Sequence, residues 1–224
     1  MVSAVCPQHL VLFGRPGSGK SSIAERLSQD HGFQLIRTGE MLRQAVRRGD
    51  PSGLRIDALL KAGQLVSDEI IEDLLEQNLK ASGERHWLFD GFPRTLGQVQ
   101  LLEKFERSLN FRVGCYLEIG VSREAAIARM TARRVCPICG ATYHLVNHPP
   151  RVPGICDVDG TELEQRRDDS IEVITVRQQI HEESSGPILA YYRQHSPERF
   201  KVVDGEQAFD EVYAATCRTL RCST

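Results

Sequence analysis

The sequence predicts an α/β fold, a parallel five-stranded sheet with helices on both faces. Three observations carry that prediction. Short apolar runs alternate with longer helical stretches through the chain. A glycine-rich loop joins the first such run to the first helix. The 224 residues, 41% of them hydrophobic, suffice for one well-buried core with small inserted subdomains, and no apolar run approaches membrane-spanning length.

His9 to Phe13 is apolar enough for a buried parallel strand. Gly14-Arg-Pro-Gly17-Ser18-Gly19-Lys20-Ser21 then satisfies G-x-x-x-x-G-K-[ST], the phosphate loop of the P-loop NTPase-like folds. Its glycines let backbone N–H groups turn inward, the next helix points its positive end at the same spot, and Lys20 adds a mobile cation. A glycine-rich turn that merely contains Lys-Ser is the alternative; a strand before and a helix after argue against it. Ile23 and Leu27 give that helix an apolar face, and Gly32 is its expected stop. In RTGEMLRQAVRRG, Thr38 is the expected helix cap and Met41, Leu42, Ala45 and Val46 the buried stripe, with Arg43 on another side. Taken alone, Arg43 reads as a solvated charge.

Trp87 to Asp90 is an apolar strand ending in a carboxylate, the layout that delivers an acid to the metal beside a triphosphate. Gly91-Phe92-Pro93-Arg94 breaks it and presents Arg94, a residue suited to bidentate phosphate binding. VGCYLEIG at 113–120 alternates like a strand, and Ser122 caps the helix carrying Arg129 and Arg133. Residues 171–195 are helical, with a kink or break expected at Gly186-Pro187. FKVVD returns a fifth strand, followed by a closing helix, and Tyr191 and Tyr192 read as core residues.

The formal net charge of −2 argues against a nucleic-acid binder relying on bulk charge. The start, MVSAVCPQHLVLFG, has neither a basic region nor a cleavage-site pattern, so no secretory signal is expected. Seven cysteines are an odd number in a long chain, and three cluster at metal-ligand spacing; a reducing cytoplasm fits better than a disulfide framework.

GRPGSGKSS, RTGEMLR, LVSDEII, DGFPRTLGQ, ARRVCPICG, RRDD and VVDG stand in the order and spacing of the long-form bacterial adenylate kinases, which the chain resembles from Leu10 to about Leu220. The resemblance implies a core phosphate-loop domain (1–37, 67–134, 169–224), an AMP-binding subdomain (38–66) and a lid over ATP (135–168). It implies that Thr38, Arg43, Val66, Gly91, Arg94 and Gln98 hold AMP, with Gln98 facing the base. On the ATP side it implies Gly17, Ser18, Gly19, Lys20, Ser21, Ser22, Arg129 and Arg133. Arg166 and Arg177 close over the transferring phosphoryl group and also reach AMP, and Asp90 orients the water shell of Mg²⁺. Gly19-Lys20-Ser21-Ser22 departs from the family's usual GKGT, which leaves open which hydroxyl faces magnesium.

Cys136-x-x-Cys139, a gap of sixteen residues, then Cys156-x-x-Asp159 is the spacing of a rubredoxin-like zinc knuckle, with Asp159 where a fourth cysteine would stand. Carboxylate oxygen is a normal zinc ligand, and lids of the resembled family carry this arrangement. All four positions are filled, so the expected Zn²⁺ is structural, replacing the core that a lid of about thirty-five residues cannot build. Free packing cysteines, an intra-lid disulfide and a nucleic-acid-binding ribbon flanked by Arg133, Arg134, Arg151, Arg166 and Arg167 are the alternatives. Asp157 is a competitor to Asp159, and His144 and His148 are ligands only if Asp159 fails. Cys6, Cys115, Cys217 and Cys222 have no ligand pattern and read as ordinary small residues.

The expected activity is reversible phosphoryl transfer, ATP + AMP = 2 ADP, by a monomer with small-molecule substrates and no nucleic-acid or membrane partner. A kinase of another monophosphate (UMP, CMP or GMP), or a nucleotide-binding regulator without transfer, are the alternatives.

Overall fold

The computed structural model describes residues 6–49, 51–83, 86–166 and 168–222, apart from the side chains of residues 51 and 52. Arg167, counted above among the lid cations, lies outside them.

Five parallel strands form the central sheet: β1 (Leu10–Phe13), β2 (Gln34–Arg37), β3 (Trp87–Asp90), β4 (Cys115–Gly120) and, last in the chain, β7 (Phe200–Asp204), in the order β2-β3-β1-β4-β7. β1 is central, with Leu12 paired to Asp90 on one side and to Leu117 on the other. Every residue of β1 is buried because both faces of the sheet are covered. Val11 and Phe13 join one core cluster with Ile36, Phe89 and Tyr116; Leu10 and Leu12 join the other with Leu88, Leu117 and Ile119. Strand periodicity thus splits LVLF between two cores.

The second core is closed by α1 (Lys20–His31), through Ile23, Ala24 and Leu27, and by α8 (Phe209–Leu220). The first is closed by α2 (Thr38–Arg48), α3 (Pro51–Lys61), α4 (Asp68–Ser82), α5 (Leu96–Ser108) and the far half of α7 (Ile171–His195). α6 (Arg123–Thr131) leads into a small antiparallel hairpin, β5 (Arg133–Val135) with β6 (Thr142–His144), from which the cysteine-bearing segment extends.

Three expectations about elements need correction. Thr38 does not cap α2 from outside: Arg37 is the N-cap, and the Thr38 hydroxyl, on the first helical residue, donates to the Gly91 carbonyl at 2.8 Å. α7 runs unbroken past Gly186-Pro187. Pro187 removes one N–H, but Glu183, Gly186 and Pro187 are all exposed, while Ile188, Leu189 and Tyr192 beyond them are buried in the core. Packing on one side and solvent on the other thus carry the helix through. Cys6 and Cys222 are not independent small residues: they form a disulfide across a sequence separation of 216. The motif reading had also not located β2, a half-buried edge strand.

Candidate active site and metal knuckle

The phosphate loop leaves the C-terminal end of β1 at the centre of the sheet, where strand order reverses and ligands of such sheets bind. Gly17 has φ 89°, and a Cβ there would lie 2.4 Å from the Ala126 carbonyl oxygen, so only glycine lets the loop pack against α6. Gly19 is the N-cap of α1, and Lys20 its first residue. Arg15 is fastened to α7 by bonds to Gln178 (3.1 Å) and Glu182 (3.0 Å), and Gln178 donates back to the Pro16 carbonyl. The Ser21 hydroxyl donates to Asp90 at 2.6 Å, so the loop and the acid at the end of β3 already meet.

A cavity of about 710 Å³ opens beside this loop. Of the residues predicted for the site, Lys20, Arg43, Gly91, Arg94, Arg166 and Arg177 line it. Burial pushes the Lys20 ammonium down to about 8, with Asp90 opposing and Arg94, Arg177 and Arg133 adding to the fall. Arg94 is reached by solvent from the open cleft but enclosed by its walls, and that desolvation lowers its pKa, Arg166 adding to it against Asp90 and Asp168. Its Nε donates to the Gly91 carbonyl at 2.7 Å. A Cβ at Gly91 (φ 83°) would lie 2.8 Å from the Arg94 guanidinium.

Cys136 and Cys139 also reach it, and the other residues predicted to bind nucleotide lie outside that lining. Thr38, Val66 and Gln98 are buried. The Gln98 amide is engaged at both ends, accepting from the Arg94 N–H at 2.8 Å and donating to Asp68 at 2.8 Å. Gly17 and Ser18 belong to the loop, Ser21 and Ser22 to the first turn of α1, and Asp90 ends β3. Arg129 spans the Ser18 and Glu206 carbonyls at 3.4 Å each.

Two residues missed as site members hold the cations together. Arg133 makes a two-point contact with Asp169 (2.7 and 2.6 Å), and Arg166 another with Asp168 (2.6 and 2.7 Å). Arg177 touches both acids, at 3.0 and 3.2 Å. Burial opposes ionisation of Asp168, but Arg166 and Arg177 outweigh it and hold the carboxyl at about 2. The signal was present in RRDD, where two acids follow two arginines. Arg43 pairs with Glu40 at 2.9 Å on the opposite wall.

Cys136, Cys139, Cys156 and Asp159 place one ligand atom each within 4.8 Å of one another. Cys139 Sγ is 3.5 Å from Cys156 Sγ, and Cys136 Sγ is 3.3 Å from the nearer Asp159 oxygen. Tetrahedral zinc with bonds of about 2.3 Å needs ligand atoms roughly 3.8 Å apart, so the donor set fits that ion. The N–H groups of Cys139 and Val158 point at Cys136 and Cys156 Sγ, both at 3.4 Å, which favours thiolates. Asp157 accepts from the Arg151 N–H instead and is not one of the four. Cys136 and Cys156 are buried with Tyr143 in a small cluster of their own, separate from both main cores.

A phosphate loop at a sheet's switch point, a strand-end acid and a cleft lined by arginines define a phosphate-loop phosphotransferase. A family model described as adenylate kinase matches residues 12–197. The chain is 39% identical over 207 residues to an adenylate kinase of Bacillus subtilis, covering 92% of this chain and 94% of the relative. It is 40% identical over 212 residues to one of Moorella thermoacetica (94% and 97%), and 37% identical over 205 residues to one of Thermococcus gammatolerans (92% and 90%). The chain belongs to the adenylate kinase family, whose members are nucleoside monophosphate kinases.

Proposed function

We propose that the chain transfers the terminal phosphoryl group of Mg-ATP to AMP, reversibly, giving two ADP. The carrying observation is one cleft lined by Lys20 from the phosphate loop together with Arg43, Arg94, Arg166 and Arg177 from four other segments. Transfer between two nucleotides needs no side-chain nucleophile, because an AMP phosphate oxygen attacks directly. The protein must align two polyanions and spread positive charge over the transferred oxygens.

In this reading Lys20 and the N–H groups of Gly17 to Ser22 hold the ATP phosphates, with Arg129 and Arg133 beside them. Thr38, Arg43, Val66, Gly91, Arg94 and Gln98 form the AMP side, and Arg166 and Arg177 bridge the two. Mg²⁺ arrives with ATP and neutralises phosphate charge. Ser21 and Asp90 are the residues assigned to it, since their contact of 2.6 Å makes Ser21, not Ser22, the hydroxyl at the acid. Residues 38–66 cover AMP and 135–168 cover ATP, excluding water as a competing acceptor. Cys136, Cys139, Cys156 and Asp159 hold a structural Zn²⁺. A monomer working in the cytoplasm, without nucleic-acid or membrane partners, completes the proposal. Three cysteines gathered as metal ligands support that compartment, and the Cys6–Cys222 bond is the observation against it.

Turnover of the purified enzyme with Mg-ATP and each of AMP, UMP, CMP and GMP tests the assignment. AMP should be preferred by well over tenfold in kcat/KM. Equal or faster use of UMP overturns the choice of acceptor, and nucleotide binding without any transfer overturns the reaction.

A further inference from the structure

His181 belongs to no motif considered above. It follows Arg177 by one turn of α7, so the two project from one helix face, and both line the cleft. Ile180, Ser184 and Ile188 continue that wall. The ring is half-buried, and among the described residues neither of its nitrogens has a protein hydrogen-bond partner. Neither nitrogen is among the buried polar atoms left without a partner, so each is open to solvent, where a ligand can meet it.

Its charged surroundings come from three segments besides its own. Lys20 opens α1, Arg15 comes from the phosphate loop and Arg94 from the turn after β3. On α7 itself stand Arg177 and Glu182, and Glu182 is already shared by Arg15 and Arg123 at 3.0 and 2.9 Å. Across the cleft, Arg166 is bound to Asp168. Positive charge therefore dominates around the ring, and a phosphate chain entering the cleft reverses that balance.

We propose that His181 is a further substrate-contacting residue: a ring nitrogen donates to the phosphate chain, and the ring takes one proton from solvent as the chain arrives. Burial first, then Lys20, Arg15 and Arg94, push the imidazole down to about 3 with protein groups alone around it. Polyphosphate within hydrogen-bonding reach moves it back toward or above the ordinary 6.5. The sign follows from linkage: binding that raises a pKa takes up protons, so affinity for the polyanion rises as pH falls.

The inference rests on the two-nucleotide reading of the cleft, and calorimetry with diadenosine pentaphosphate separates the two. Its phosphates have no secondary ionisation near neutrality, so proton uptake reports the protein. Titrations at pH 6 in buffers of different ionisation enthalpy should give roughly 0.7 proton taken up at His181 per inhibitor bound. Lys20 is already charged at that pH. His144 in the lid is a second candidate, so the readout is the difference between wild type and His181→Gln. The variant should lose that share of the uptake, along with about a tenfold tightening between pH 7.5 and 5.5. Histidine NMR of the wild type gives the same answer without a variant: the His181 ring should stay neutral down to pH 5 in the free enzyme and titrate near or above 6.5 in the complex. Equal uptake in both proteins, or a His181 titration that the inhibitor leaves unmoved, overturns the assignment while the cleft reading stands. Failure of the wild type to bind the inhibitor overturns both.

Discussion

Asp168 lies between the guanidiniums of Arg166 and Arg177, and Asp169 between those of Arg133 and Arg177. Three cations that the phosphotransfer reading assigns to nucleotides or to the transferring group would otherwise repel one another, and the buried Asp169 and half-buried Asp168 carboxylates offset that repulsion. The Asp168 pKa falls from 3.8 unfolded to about 2 folded, so its stabilisation is present above pH 4 and lost as pH drops through 2. Asp168→Asn should therefore be less stable than wild type by about 2 kcal/mol at pH 5, and urea unfolding should show the gap closing near pH 2. A gap unchanged with pH would mean that the ion pairs contribute nothing. Lys20 and Arg94 could be placed at one cleft, and Asp90 at a strand end, because a motif fixes where each stands in the chain. The pairing of Asp169 with Arg133, and the seat of His181 beside Lys20, depend on where α7 crosses the phosphate loop, a long-range fact that no local pattern encodes.

At the scale of elements, the cysteine-bearing segment after β5 is the piece least able to hold itself together. Among the described residues its own buried cluster is Cys136, Tyr143 and Cys156, and Ile138, Val146, Val152 and Val158 are exposed around it. A metal is the expected substitute for a core. Asp159→Ala should lower bound zinc well below one per chain. The thermal midpoint should fall by several degrees, with turnover at moderate temperature changed by less than about threefold, because the knuckle contributes no residue to either main core. Metal analysis and a melting curve on the same chelator-free preparation check this; wild-type protein with no zinc and three freely titratable lid thiols contradicts it. Elements with strong local signals were readable from the sequence: LVLF, WLFD and the Ser122-capped helix all stand where expected, within a residue or two. β2 escaped because QLIR is a four-residue edge strand with one fully buried position. α7 was read as kinked or broken because proline chemistry is local, whereas the contacts of Ile188 and Tyr192 that carry the helix onward are not.

Across the whole molecule, the Cys6–Cys222 bond ties together segments at opposite ends of the described chain, beside the core formed by α1 and α8. Spacing could not have found it, since the partners are separated by 216 residues. Closing so long a loop restricts the unfolded chain by up to about 5 kcal/mol in the chain-entropy view. Cys6→Ser and Cys222→Ser should each lower the thermal midpoint by on the order of 5 °C or more, with the double variant no worse than either. Additive losses would mean that the two thiols act separately. Lying on the face of the sheet away from α2 to α5, the bond should leave turnover at moderate temperature unchanged. The claim on which the functional account depends concerns the cleft itself: two nucleotides meeting tail to tail between the phosphate loop and the turn after β3. A crystal structure with diadenosine pentaphosphate and Mg²⁺ measures that directly. The account predicts Lys20 Nζ and the Arg94 guanidinium within hydrogen-bond distance of one continuous phosphate chain, with Arg166 and Arg177 closed over its middle. An inhibitor bound with Lys20 and Arg94 turned away from a common chain would contradict it.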